Sequence, residues 1–516
     1  MRPGRFLFSQ VKGVHAFFAL FFSYCLGMLS ILRADRLYLD DMGRALYAYA
    51  DWAPAGRPLA ELLSCIFFLG AGTVDASPIT QILAAAQLAL AALLLCRALG
   101  FGFSPFVLAA CIPIGLSPYG LENLSYKFDA PFMALSQLLC VLPFLCLRRG
   151  GRSGGKGFFP ASVLCLFSSA SIYQAGMNVY PAVALFICLR AFVAGAGGRS
   201  LARLGLRFVL PFSLAALGYA FQVSYWLTGE QYGDYVTRHC ATPSFWRLPG
   251  KVFANTGDYL SLLYRDWGGN SLGALLLLLF FCFCAAFLRR AARRRKGFAV
   301  SGGRNPTSGV MRRCGVILAL IFCFLLSPLG VQALLEFPVW SPRTFCAFGT
   351  VLTLMLLSLH PGRKSGNCAK ISAGLLAGFV GLQLLLFASV YGNMLSAQNE
   401  WEDLQLSRLA PVIWAFKEEK GLDRVIFTNS AGYSPLMFRV GRRFPLIRRM
   451  TVVPLTRNMR WGYEQLRIYG AAVRDGKTLP KDARLVLYRD TPYFRLEECP
   501  GTAAVVTFKD IEGRAD

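Results

Sequence analysis

Six stretches of this chain of 516 residues hold no acidic residue, although the chain contains 28 of them. They are the amino-terminal segment, Arg97, Arg148 to Lys156, Arg190 to Arg207, Arg289 to Arg313 and Arg363 to Lys370, and together they carry 24 of the 54 Lys and Arg. Lys and Arg beside membrane spans are retained on the cytoplasmic face, so these stretches are expected there and every Asp and Glu on the opposite side. The net charge of +26 is then mostly topology. It does not indicate a nucleic-acid partner, which needs a basic face on a folded domain and not short clusters between apolar runs.

Histidine is scarcer still. His15, His239 and His360 stand far apart with no metal-ligand spacing, which excludes a zinc site. Cysteine is present, but most of the 16 thiols (Cys25, Cys96, Cys111, Cys140, Cys165, Cys188, Cys282, Cys323 among them) sit in apolar runs, where a thiol behaves as a small hydrophobe. Only Cys240 and Cys499 fall clearly in external segments; an oxidising compartment would let them pair, and their spacing leaves that open. Charge as a whole is thin: 16% charged against 55% hydrophobic residues is too apolar for a soluble chain of this length. Internal repeats and low-complexity segments are absent beyond the Gly and Arg loops.

What is there is a series of apolar runs. Val14 to Leu32 follows Arg2, Arg5 and Lys12, lacks a small-residue cleavage site and reads as an uncleaved signal anchor that leaves the N-terminus in the cytoplasm. Ten more runs follow: Pro78 to Leu99, Phe103 to Tyr119, Ala130 to Leu147, Phe158 to Ile172, Met177 to Phe192, Phe208 to Leu227, Leu272 to Leu288, Gly315 to Val331, Thr344 to Leu359 and Ile371 to Tyr391. Leu59 to Gly70 is too short to cross, and counting it would place the Arg148 cluster outside, so it is expected to be an amphipathic or re-entrant external segment. The result is an α-helical polytopic membrane protein with about eleven spans in residues 1–395. Residues 396–516 form a small extracytoplasmic α/β or α+β domain, with a helix from Glu400 to Lys420 and strands near Arg424 to Thr428 and Arg484 to Tyr488. The expected location is a bacterial inner membrane.

The candidate chemistry begins just after the first span, at Tyr38-Leu39-Asp40-Asp41-Met42-Gly43-Arg44. Two carboxylates with an arginine three and four residues on share one helical face near the membrane surface. A carboxylate there can deprotonate a hydroxyl while Arg44 steadies it or binds phosphate; a solvated helix start with an ordinary salt bridge fits the same residues. Downstream stand Asp51-Trp52-Ala53-Pro54-Ala55-Gly56-Arg57-Pro58-Leu59, then Glu122-Asn123-Leu124-Ser125-Tyr126-Lys127-Phe128-Asp129, then Ser171-Ile172-Tyr173-Gln174, and finally Gly441-Arg442-Arg443-Phe444-Pro445. In the order of these motifs the chain resembles the bacterial Gtr-type (GtrII-like) O-antigen glucosyltransferases of GT-C architecture.

That resemblance implies a hexose, glucose in the family pattern, carried on undecaprenyl phosphate and moved to a surface polysaccharide such as O-antigen. It maps the family's acidic pair onto Asp40 and Asp41, one of them the base. The donor phosphate then needs cations at the external interface, for which Arg44, Arg57, Lys127 and Arg343 are candidates; Lys127 and Arg343 serve equally well as headgroup anchors. Glu122 and Asp129 can complete the pocket, though Asp129 also suits a helix cap. Trp52, Tyr173 and Gln174 are candidate sugar contacts. Adjacent Asp residues suit Mg²⁺ or Mn²⁺ bridged to phosphate, without making a metal a requirement. Between Thr228 and Asn270, Tyr232, Tyr235, Phe245, Trp246, Tyr259, Tyr264 and Trp267 alternate with Arg238, Arg247, Lys251 and Arg265. This fits a glycan surface or an interfacial aromatic belt. The competing class is a transporter or flippase of a lipid-linked saccharide, which places charged or broken-helix sites near the bilayer midplane, often in repeats. The acids here gather outside the spans instead.

Overall fold

The computed structural model describes residues 9–149, 157–226, 241–295, 306–361, 365–476, 478–479 and 482–510. Tyr232, Tyr235, Arg238 and Cys240 lie outside them, so whether Cys240 pairs with Cys499 falls outside the described residues. Seven described helices are long and apolar enough to cross a membrane: Gly13–Ala34, Ile79–Leu99, Ala130–Leu147, Gln174–Val193, Gly198–Ser224, Ser271–Ala292 and Asn367–Lys420. They coincide with seven of the eleven expected spans. The other four expected spans coincide with shorter apolar helical stretches, Pro105–Leu116, Phe158–Ile172, Arg313–Leu326 within the helix Pro306–Leu326, and Pro342–Ser358. Pro58–Phe67, in the run judged too short to cross, is a ten-residue helix.

Local chemistry sets the helix ends. The first span stops where Asp35 turns left-handed at φ 45° and returns its N–H to the Leu32 carbonyl. Pro105–Leu116 begins behind Ser104, whose Oγ accepts the Val107 N–H at 3.4 Å, with Pro105 in the first turn, where its missing donor costs nothing. The first span buries Ala16, Leu20, Tyr24 and Met28, and exposes Phe18 and Phe22 on its other side. Helix Gly198–Trp226 likewise exposes Leu217 and Phe221. Apolar surface of this extent is stable against lipid and not against water.

The helix Asn367–Lys420 is 54 residues long, about 80 Å at 1.5 Å per residue, so it reaches well beyond a bilayer core of about 30 Å. Its lower part lies along the first span, and the contact is close because Gly392 has no side chain: a Cβ there would stand 2.4 Å from the Ser30 carbonyl carbon. Its upper part presents Leu406, Leu409, Ala410, Ile413 and Phe416 to a sheet. The strands are β1 (Arg424–Phe427), β2 (Arg474–Asp475), β3 (Val486–Asp490), β4 (Phe494–Cys499) and β5 (Ala503–Phe508), in the order β2-β1-β5-β4-β3. β1 runs parallel to β2 and β5, and the rest is antiparallel. β5 is buried at nearly every position, as a central strand covered on both faces must be.

One segment departs from the expected partition. Helices Pro435–Arg443 and Pro445–Met450 place Met437, Leu446, Ile447 and Met450 in the core formed by the membrane helices and not in the one beneath the sheet. A buried pair joins the same levels: Arg36 binds Glu402 at 2.9 Å and also the Val452 carbonyl at 2.8 Å.

Candidate functional site

The Asp40–Tyr47 helix follows a sharp reversal. Leu39 has φ 50° and ψ −105°, and Asp35, Ala48 and Asp51 also have positive φ, so four non-glycine residues within this short segment hold sparsely populated backbone conformations. Each such residue costs of order 1–3 kcal/mol and persists only when its surroundings over-determine it. Asp41 supplies much of that determination. Its fully buried carboxylate accepts the N–H of Tyr38 at 3.1 Å, of Lys127 at 2.9 Å and of Phe128 at 3.3 Å. One side chain thus pins the turn after the first span to the loop before Ala130–Leu147. Burial lifts its pKa to about 8 and the charge of Asp129 adds to this, against the opposing pull of the Lys127 and Tyr38 amides and Arg44.

Asp40 differs from its neighbour. It is only partly buried, and its carboxylate makes no hydrogen bond or ion pair with another described residue, although it lies near enough to act on Arg44 and Tyr49 electrostatically. The two adjacent carboxylates therefore do not converge: Asp41 is enclosed by amides, and Asp40 is the one open to a ligand. A divalent ion bridged by both does not fit this arrangement. Among the described residues no group of three or more His, Cys, Asp or Glu is gathered as a metal site.

Arg44 lies near both acids of the pair, but its ion pair is with Asp129, at 2.7 Å, and its guanidinium stands 4.2 Å from the Trp52 ring centre. Asp129 also accepts the Trp52 indole N–H at 2.7 Å and lies 3.8 Å from Arg57. It stands at the N-cap of the following helix but makes no capping hydrogen bond there; the cluster takes its oxygens instead. Arg57 Nε donates to Gln174 Oε1 at 3.2 Å, and its guanidinium lies over Tyr173. Gln174 in turn donates to Tyr219 Oη at 2.5 Å. Gly56, at φ 78°, allows this approach, because a Cβ would meet Tyr219 Oη at 2.8 Å. Asp41, Arg44, Trp52, Arg57, Asp129, Tyr173 and Gln174 thus form one continuous cluster drawn from four separated stretches.

Glu122 and Arg343 belong to an adjoining one. Glu122 accepts from Ser341 Oγ at 3.0 Å, from the Arg343 N–H at 2.6 Å and from Tyr38 Oη at 3.3 Å. Burial raises its pKa, against the charge of Arg343. The Arg343 side chain bonds Tyr126 Oη and lies over that ring. Lys127 is committed elsewhere: its ammonium binds Asp35 at 2.6 Å and Asp75 at 2.9 Å. Among Arg44, Arg57 and Lys127, Arg57 has the most open and loosely paired side chain, 23% exposed against 6% for each of the other two.

The sequence reading overlooked Tyr38, Tyr126, Asp35, Asp75, Tyr219 and Ser341. It also overlooked a second acid–arginine pair, fully buried Asp266 with Arg449 at 2.5 Å, where Asp266 also accepts from Tyr119 Oη at 2.7 Å. Asp266 closes the helix Leu248–Trp267, an acid at the end of the ring-rich segment, and that position was its one visible signal. In the same segment Tyr259 and Trp267 face inward, whereas Phe245, Trp246 and Tyr264 are exposed.

Titration of Asp41 carries a prediction. Its folded pKa lies above the ordinary carboxylate value, so its contribution to stability is fully present below about pH 4, the unfolded value, and is lost as pH rises through about 8. The thermal midpoint of the protein in detergent should therefore fall between about pH 4 and 8 more steeply than that of Asp41→Asn, which cannot ionise. Parallel profiles would refute the assignment.

A 30% identical stretch of 167 residues is shared with the "uncharacterized 55.3 kDa protein in gtrB 5'region" of Salmonella phage P22, covering 31% of this chain and 33% of that protein. The chain thus aligns with about a third of the length of that relative. No solved structure matches. The family model described as "Glucosyl transferase GtrII" matches residues 29–354, a stretch that contains the whole cluster from Asp40 to Arg343. Matched by this model over more than half its length, the chain belongs to the GtrII glucosyl transferase family.

Proposed function

We propose that the protein moves a glucosyl group from a polyprenyl-phosphate carrier to a surface polysaccharide such as O-antigen, at the extracytoplasmic face of the inner membrane, by direct displacement. The observation that carries this reading is the contrast within the acidic pair. Asp41 is locked into the scaffold by three amides, which leaves Asp40 as an open carboxylate beside the Arg44–Asp129–Arg57 cluster. In the proposed step the acceptor hydroxyl attacks the anomeric carbon, its proton passes to Asp40, and the bond to the phosphate oxygen breaks. The carrier leaves as a phosphate monoester, and the charge that develops on it is met by Arg57. Arg44 stands behind, held by Asp129 and the Trp52 ring, and keeps that face positive. Gln174 and Tyr173 fix the Arg57 guanidinium from the other side, so little reorganisation is needed as charge develops. The residues of the sheet domain and the exposed rings Phe245, Trp246 and Tyr264 are proposed to hold the acceptor glycan.

The test is transfer of labelled glucose by purified protein from polyprenyl-phosphoglucose to a polysaccharide acceptor, with UDP-glucose as the control donor. Transfer from the lipid carrier alone is expected; efficient use of UDP-glucose would overturn the donor assignment. Orientation is tested separately. Single cysteines placed near Asp41, near Lys127 and in the sheet domain should react with an impermeant thiol reagent on intact spheroplasts, in a background without native external thiols, and those near Arg149 and Arg294 should not. Labelling at the Arg294 position from outside would reverse the topology.

A further inference from the structure

A second charged site lies at the far end of the same helices. Ile79–Leu99 starts beside the candidate site, where Thr80 Oγ1 donates to the Lys127 carbonyl at 2.6 Å, and after 21 residues, about 30 Å, ends at Leu99. The stretch Gln174–Val193 runs from the partner of Arg57 to Arg190, and Pro342–Ser358 runs from Arg343 to Ser358. All three arrive at one cavity of about 480 Å³, whose walls include Phe101, Phe186, Arg190, Phe287, Arg290 and His360. The cavity therefore opens on the membrane face opposite Asp40.

Its chemistry is lopsided. Arg190 and Arg290 come from different helices and lie close enough for their charges to repel. Each donates to a backbone carbonyl, Arg190 to Leu99 at 3.1 Å and Arg290 to Ser358. A carbonyl takes one or two of the five guanidinium donors and neutralises no charge. Neither arginine pairs with a carboxylate among the described residues, and the basic segments on this side contain no acid in the sequence. Phe186 and Phe287 are almost fully buried behind them. Each guanidinium also lies over a wall ring, Arg190 over Phe101 at 5.4 Å and Arg290 over Phe287 at 5.6 Å. Arginines that merely snorkel point separately into the headgroup layer. Two that converge on one recess with an aromatic wall match a ligand having an anionic head and an apolar tail.

We infer that this cavity binds the phosphate headgroup of an anionic membrane lipid between Arg190 and Arg290, with the lipid chain leaving along the partly exposed Phe101. The site is separate from the proposed transfer reaction and stands or falls without it. The test uses the full chain in neutral detergent, titrated with phosphatidylglycerol, phosphatidylcholine or inorganic phosphate while the thermal midpoint is followed. Phosphatidylglycerol should raise the midpoint saturably, and the other two should not. The pair Arg190→Gln with Arg290→Gln should weaken apparent affinity by about a hundredfold, since each charge-assisted contact is worth about tenfold or more. Arg199→Gln with Arg203→Gln, basic positions outside the cavity lining, should leave it unchanged. Arg290→Gln alone, which keeps one fork if the double variant fails to fold, should lose about tenfold. Undiminished affinity in the Arg190 and Arg290 variants, an equal loss in the Arg199 and Arg203 pair, an equal response to phosphatidylcholine, or a full response to inorganic phosphate would each overturn the inference.

Discussion

Replacing Asp40 by Asn is expected to lower glucosyl transfer by about a hundredfold or more, with expression, membrane insertion and thermal midpoint close to those of the parent protein. Loss of a positioned general base has that magnitude. The structural cost should be small because the Asp40 carboxylate makes no hydrogen bond or ion pair with another described residue. Asp41→Asn should behave differently. Its new amide nitrogen would confront backbone N–H groups that now donate to carboxylate oxygens, so stability should fall with activity. The decisive comparison is specific activity per folded molecule. If Asp40→Asn retains near-normal turnover while Asp41→Asn loses turnover without losing stability, the roles of the two residues are reversed. If both retain it, the base lies elsewhere, and Glu122 is then the next carboxylate to examine.

Asp129→Ala is expected to be the most destabilising single change in the site, by about 3–5 kcal/mol, because it leaves a buried guanidinium without its counter-charge. Arg44 is 5% exposed and its ion pair is Asp129; the Trp52 indole N–H would lose its acceptor in the same substitution. Asp129→Asn keeps an acceptor for one of the two donors and should fall between Ala and the parent. Thermal unfolding in detergent provides the measurement. A loss below about 1 kcal/mol for Asp129→Ala would mean that water reaches Arg44 and that the cluster is an ordinary surface pair.

Much of the local structure was legible in the residues. The apolar runs coincide with helices, the short run after Pro58 with a ten-residue helix, and the β-branched clusters at Arg424 and Val486 with strands. The loop motifs around Asp40, Trp52, Asp129 and Gln174 are neighbours in space. The partners were harder to read. Helical spacing set Arg44 against Asp40 and Asp41, whereas it binds Asp129, 85 residues further along the chain. Lys127, read as a phosphate ligand or a headgroup anchor beside a span end, is paired with Asp35 and Asp75.

The sequence by itself determined the class of molecule, because membrane length, charge scarcity and motif order are properties of the chain read in one dimension. It also supplied the inventory of acids and arginines from which the site is built. Only the tertiary structure decided how that inventory divides: Asp41 to the scaffold, Asp40 to the open face, Arg44 to Asp129, and the helices at 435–450 to the membrane core and not to the sheet. The physical reason lies in burial. Two adjacent carboxylates are equivalent in sequence, and they become different groups only when the fold encloses one among amides contributed by a loop 86 residues away and leaves the other where a ligand can reach it.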